Sequence, residues 1–298
     1  MDNYTRKVFT TSRSLTYTYY DSGSANPLSA DQTTLLFLHG FPDSAHLWHQ
    51  VVPHLRSLPH RKLVPDLLGF GGSSKPTDQA LFRPSCIVSD LVELLAIEGV
   101  QEVVVIGHDW GSILAQRFWL WKPELCVGIA MLNVAYQPPT AQPFDLTAVN
   151  AEFERVTGYP LYAYWELFIA DDGALLVDEH LDRFWEVMHG AREHWMRDIF
   201  CVRNAMRSFL EGNEKIELKE YAKSGKRWKE EWFKSVQGGG GLTSAMCSYK
   251  PMVYNLDFDA ENALPAGRAR VTVPAFFLGC SGDEQTVWSP ARPHSQGY

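Results

Sequence analysis

The run Val103-Val-Val-Ile-Gly-His-Asp-Trp-Gly-Ser112 constrains this chain more than any other segment. Its apolar start has the pattern of a strand buried on both faces, and the amphipathic Ile113–Trp121 behind it is helical in pattern. Only a sharp strand-to-helix turn fits between the two. Glycines at 107 and 111 suit such a turn, because the crowded backbone leaves no room for a Cβ on either side. The turn thrusts the Asp109 side chain into a pocket, and the N-terminus of the following helix favours an anion there, so Asp109 is expected to stay ionised and nucleophilic at neutral pH. An aspartate at a helix start also commonly serves as its cap. The rest of the chain separates the two readings.

Residues 1–135 alternate strands with helices. A hairpin over Val8–Tyr20 precedes apolar strands at Leu35–Leu38, Leu63–Val64, Val103–Ile106 and Val127–Leu132, the pattern of a parallel sheet. After Pro84, the residues Ile87, Val88, Leu91, Leu94 and Leu95 share one helical face that stops at Gly99, so this helix can cross over the sheet. The expected fold class is α/β with a mostly parallel, doubly wound sheet. From Tyr136 the character changes. The Pro-rich Gln137–Pro143 leads into a helical stretch rich in Trp and Tyr, with a charged run over Glu211–Glu231 and a break at Gly238–Gly241. Residues 137–256 are therefore expected to form a helical lid on a core made of residues 1–136 and 257–298. Val271–Leu278 is expected to return the chain to the sheet as a buried strand.

A chain of 298 residues with 45% hydrophobic content can bury one large core plus an insertion. The net charge of -8 and pI near 5.7 give no general attraction to nucleic acid or to anionic membranes. Five widely spaced cysteines (Cys86, Cys126, Cys201, Cys247, Cys280) without a CxxC pair suit thiols in a reducing compartment, so a cytoplasmic location is expected. No apolar run reaches the length of a membrane span, MDNYTRKVFT lacks a signal peptide's apolar stretch, and the chain does not end in a peroxisomal tripeptide. Composition does not fix an oligomeric state.

Two further segments decide how Asp109 is read. His39-Gly-Phe-Pro-Asp-Ser44 follows the strand at Leu35–Leu38, and Pro65-Asp-Leu-Leu-Gly-Phe-Gly-Gly-Ser-Ser-Lys-Pro76 follows the next strand. With the strand–turn–helix around Asp109 as a nucleophile elbow, these motifs resemble in order and spacing the α/β-hydrolase fold family, and the aspartate makes the chain similar to epoxide hydrolases. The resemblance spans roughly residues 8–283 and is weakest within the lid. It implies that Asp109 is the nucleophile, that the backbone N–H groups of Phe41 and Trp110 form the oxyanion hole, and that Phe41-Pro42 is cis. It also implies conversion of an epoxide to a vicinal diol through a covalent ester, on a small apolar substrate, with no metal or organic cofactor.

An opening epoxide becomes an alkoxide and wants O–H donors, whereas a halide wants N–H donors. The resemblance places the two epoxide-polarising tyrosines on Tyr159, in Gly158-Tyr-Pro-Leu-Tyr-Ala-Tyr-Trp165, and on Tyr249, in Cys247-Ser-Tyr-Lys-Pro-Met252. Tyr162 and Tyr164 are alternatives to the first, and Ser248 stands where the family usually has Trp. A haloalkane dehalogenase is the other enzymatic reading, because Trp110 would supply an indole N–H to a halide, although Phe41 stands where many dehalogenases have Asn. A fluoroacetate dehalogenase fits less well, since Trp110 and Ser112 give no arginine for a substrate carboxylate.

The family's order of nucleophile, acid and histidine assigns the acid to Asp283, with Glu284 beside it. His294 follows eleven positions later, in a tail with two prolines and no periodicity. The resemblance implies that the last strand and helix of the fold, with the usual Gly-His loop, lie beyond this chain. Two expectations follow: an open sheet edge at Val271–Leu278, and ester formation without efficient ester hydrolysis unless His294 serves as base. A hydrolase-fold protein that binds apolar ligands without turnover is the non-enzymatic alternative.

Overall fold

A computed structural model describes residues 1, 3–23, 33–223, 225, 227–265 and 267–280. The strands are β1 (Thr5–Thr10), β2 (Thr16–Asp21), β3 (Thr34–Leu38), β4 (Lys62–Pro65), β5 (Val103–His108), β6 (Cys126–Leu132) and β7 (Ala275–Leu278). They form one sheet in the order β1-β2-β4-β3-β5-β6-β7. The β1–β2 and β2–β4 pairs are antiparallel and all later pairs are parallel. Helix α1 (Pro84–Ile97) links β4 to β5, and α2 (Trp110–Trp121) links β5 to β6. Non-sequential neighbours joined through helices, with β3 and β5 at the centre, make the doubly wound arrangement.

The apolar pattern explains these elements. Every residue of β3 and β4 is buried, as expected of strands covered on both faces. The α1 stripe of Ile87, Val88, Leu91, Leu94 and Leu95 is buried, and the helix gives way at Gly99, whose φ of +67° suits glycine. Asp90 is buried on the same helix because its charge is answered: Arg13 Nε donates to it at 2.9 Å and the Tyr17 hydroxyl at 2.6 Å. That cluster fastens the β1–β2 hairpin to α1.

Two expectations about the last strand need correction. It begins at Ala275 rather than Val271, because Pro274 has no N–H to give to the ladder; its carbonyl accepts from the Ile129 N–H at 3.0 Å, where pairing starts. It is also exposed rather than buried: Phe276 is 57% exposed, since β7 is the outermost strand of the described sheet.

Between β6 and β7 the described chain is helical. Its longer helices are Leu146–Thr157, Leu181–His189 and Arg227–Gly238, and the last gives way to Gly240 and Gly241 at positive φ. Among the described residues this insertion shares its core with the sheet: Trp165, Phe168, Phe184 and Trp185 belong to one buried cluster with Leu38, Phe41 and Leu91. Polar contacts fix it over the ends of the parallel strands. Trp232 Nε1 donates to the Pro42 carbonyl at 3.1 Å, Ser244 Oγ to the Pro76 carbonyl at 2.6 Å, and both Asp257 oxygens accept from Ser85 at the start of α1.

Candidate active site

Asp109 occupies the turn between β5 and α2 at φ 55° and ψ -123°, a conformation that side chains rarely adopt and that surrounding structure must enforce. The flanking glycines permit it. A Cβ on Gly107 would come within 2.0 Å of the Gly111 carbonyl oxygen, and one on Gly111 within 2.1 Å of the Leu38 carbonyl oxygen. Ser112 Oγ locks the turn from below by donating to the Gly107 carbonyl at 2.7 Å. Asp109 is thus no ordinary cap, for its side chain makes no capping hydrogen bond to α2.

The carboxylate meets the loop after β3. The Phe41 N–H donates to Asp109 Oδ1 at 2.8 Å, across the cis Phe41-Pro42 segment. Gly40 is the point of closest approach, where a Cβ would stand 2.3 Å from Oδ1. His39 holds this loop to the next: its Nε2 accepts from the Leu67 N–H at 2.9 Å, which leaves Nδ1–H to donate to the Gly40 carbonyl. Burial pushes the His39 imidazole down to about 4, so it is neutral at physiological pH. Asp66, buried, accepts from the Ala45 and Gly72 N–H groups, each at 2.8 Å, and so ties the loops after β3 and β4 together.

Aromatic residues cover this corner. Tyr249 is buried, with its ring edge-on to Trp110 at 5.0 Å and to Phe41 at 5.3 Å. Burial, then Tyr164 and Asp109, drive the Tyr249 phenol well above its usual value, and burial followed by the charge of Asp109 does the same to Tyr164. The two rings lie 6.0 Å apart and both hydroxyls stay protonated.

Tyr164, one of the alternatives to Tyr159, thus shares the field of Asp109 with Tyr249. A turn over Pro160–Ala163 buries Leu161 and Ala163 and carries Tyr164 to the start of the helix Trp165–Phe168, against Phe168 and Phe200. Tyr159 precedes that turn, with its carbonyl accepting from Thr157 Oγ1. Tyr162 stacks on Trp165 at 4.7 Å. Trp110, whose amide was expected in the oxyanion hole, is the first residue of α2 directly after Asp109. Asp283, Glu284 and His294 lie outside the described residues.

Sequence reasoning passed over one neighbour. Asp43, within the quoted His39–Ser44 motif, is raised to about 7 by burial and then by the charge of Asp109. The composition of the loop carries no signal of this, because it arises from burial in the folded chain and then from the Asp109 carboxylate at the end of β5.

Residues 33–171 match the family model described as alpha/beta hydrolase fold. Among curated relatives, the chain is 37% identical over 102 residues to Epoxide hydrolase 2 of Siraitia grosvenorii, covering 34% of this chain and 32% of that protein. It is 28% identical to Bifunctional epoxide hydrolase 2 of Sus scrofa over 76% of this chain and 42% of the other. Epoxide hydrolase B of Mycobacterium tuberculosis is 24% identical over 85% of this chain and 78% of its own length. The chain thus spans only 32–36% of the Siraitia grosvenorii relatives it matches. Among solved structures, an epoxide hydrolase from an endophytic Streptomyces superposes with a TM-score of 0.74 at 22% identity, covering 97% of this chain and 82% of that one. Epoxide Hydrolase A from Mycobacterium thermoresistibile gives 0.72 at 20% identity, covering 93% and 82%. At such identities these two likenesses establish the fold.

Proposed function

Because the chain has the α/β-hydrolase fold and its sequence is similar to epoxide hydrolases, we propose that it opens an epoxide to a vicinal diol through a covalent ester on Asp109. One observation carries the reading: a carboxylate held at a strained turn by the Phe41 amide shares a buried aromatic corner with two protonated tyrosines. Asp109 attacks a ring carbon through Oδ2. The C–O bond of the oxirane breaks, its electron pair stays on oxygen, and the alkoxide takes hydrogen bonds or a proton from Tyr164 and Tyr249. In the ester, Oδ1 remains against the Phe41 N–H, where negative charge would collect when water attacks; the Trp110 amide is assigned as its second donor. The helical insertion at 137–256 acts as the lid that excludes water from the ester-forming step.

Water attack on the ester completes the diol and frees the carboxylate, and needs a base. Asp283 and His294 are the assigned acid and base. His294 lies in a segment whose sequence has no helical or strand pattern, so the balance of ester formation and ester hydrolysis reads out whether it serves as the base. The free thiols among the described residues suit the cytosol, and no described helix is long and apolar enough to cross a membrane.

The reading is tested by offering an aryl oxirane and recording the intact mass. We expect one substrate mass per chain, on the peptide that contains Asp109, and no adduct in Asp109→Ala. Sustained turnover would show that His294 or another group supplies the base. Neither adduct nor diol in a folded sample would refute the proposal and favour a ligand-binding role.

A further inference from the structure

A cavity of about 160 Å³ opens from Gly40 and Trp110, beside the Asp109 carboxylate, and lies between α1, α2 and residues 248–262. Along α2 its wall is Trp110, Ile113, Leu114 and Arg117, the spacing of one helical face. At 1.5 Å per residue, Arg117 stands roughly 10 Å along the axis from Trp110. Phe82 and Phe144 complete an apolar middle, and the end near Arg117 is polar.

We infer that this far end selects epoxides whose chain terminates in an uncharged hydrogen-bonding group, a hydroxyl or an amide, and discriminates against chains that end in a carboxylate. The inference rests on Asp109 as the attacking group. Three charged side chains line the cavity: Arg117, Asp257 and Glu261. The lining thus holds one guanidinium and two carboxylates, of which Glu261 is paired with Arg117 and Asp257 accepts from Ser85. Three of the five guanidinium N–H groups are engaged, Nε and Nη2 with the two Glu261 oxygens at 2.7 and 3.1 Å and Nη1 with the Gln137 carbonyl at 2.6 Å. A carboxylate tail would share one guanidinium with Glu261, already paired to it, and would add a third carboxylate to a lining with surplus negative charge where little water remains to screen it. A hydroxyl or amide can instead donate to the remaining lone pairs of Glu261 and Asp257 without breaking the pair.

The test compares straight-chain 1,2-epoxides of one length, long enough to span the cavity, that end in hydroxymethyl, carboxamide or carboxylate. The rate of ester formation on Asp109 is read by intact mass, with an aryl oxirane as control. Hydroxyl and amide tails should react at least about tenfold faster than the carboxylate at equal concentration. The ratio should fall toward one in Glu261→Gln, which removes the charge and keeps an acceptor oxygen. Equal or faster reaction of the carboxylate-ended epoxide in the unaltered chain overturns the inference, as does a ratio that Glu261→Gln leaves unchanged. If the control forms no ester, the reading of Asp109 fails instead. Calorimetric titration with matched oxirane-free alkanols and alkanoates then decides selectivity alone: tighter alkanol binding supports it, and equal or tighter alkanoate binding overturns it.

Discussion

Tyr164 and Tyr159 are separated by the turn Pro160–Ala163, which carries Tyr164 against Phe168, Phe200 and Tyr249 in the corner of Asp109. Because a donor to the opening oxygen contributes about 10²–10⁴ in rate, Tyr164→Phe should slow ester formation by roughly 10²-fold or more, while Tyr159→Phe should leave it nearly unchanged. Single-turnover mass spectrometry on both variants checks this, and the reverse order would return the role to Tyr159. The motif made Tyr249 legible in advance but left three tyrosines in one short segment as rivals. No local pattern ranks them, since the ranking comes from contacts with Phe168, Phe200 and Tyr249, which are distant in sequence.

At the scale of elements, the clearest case is the start of α1. Its cap residue, Arg83, offers no side-chain acceptor, and the helix begins with Pro84. Asp257, far along the chain, accepts from the Ser85 N–H at 2.9 Å and from Ser85 Oγ at 2.7 Å, and so caps α1 from the insertion's end. Asp257→Ala should cost about 1–2 kcal/mol in chemical unfolding, and Asp257→Asn less, because the amide oxygen can still accept. A loss below a few tenths would show that water caps the helix equally well. The sequence announced where α1 starts through Pro84, and where it stops through Gly99. It could not announce the cap, because a helix N-terminus can borrow an acceptor from anywhere the fold delivers one.

For the molecule as a whole, the carboxyl of Asp43 makes stability depend on pH. Its folded value of about 7 lies above the ordinary carboxylate value of 3.8, so the folded state holds a proton that the unfolded chain releases earlier. The native state is therefore unpenalised below about 3.8, loses stability as pH rises toward 7, and carries the full cost above that. Replacement by Asn, which needs no proton, should gain ~2–4 kcal/mol relative to the unaltered chain between pH 4 and pH 8. Denaturant titrations of both proteins at several pH values test it, and a difference that stays flat with pH would show that the fold does not raise the Asp43 carboxyl. The sequence by itself determined the sheet, its crossover helices and the turn at Asp109, because apolar periodicity and paired glycines act over a few residues and report burial and backbone freedom directly. Only the tertiary structure decided that Tyr164 joins Tyr249, that the Asp43 carboxyl is pushed up and that Arg117 meets Glu261. Each of these depends on charges or rings brought together from separate elements, and Coulomb and desolvation effects follow distance in space rather than in sequence.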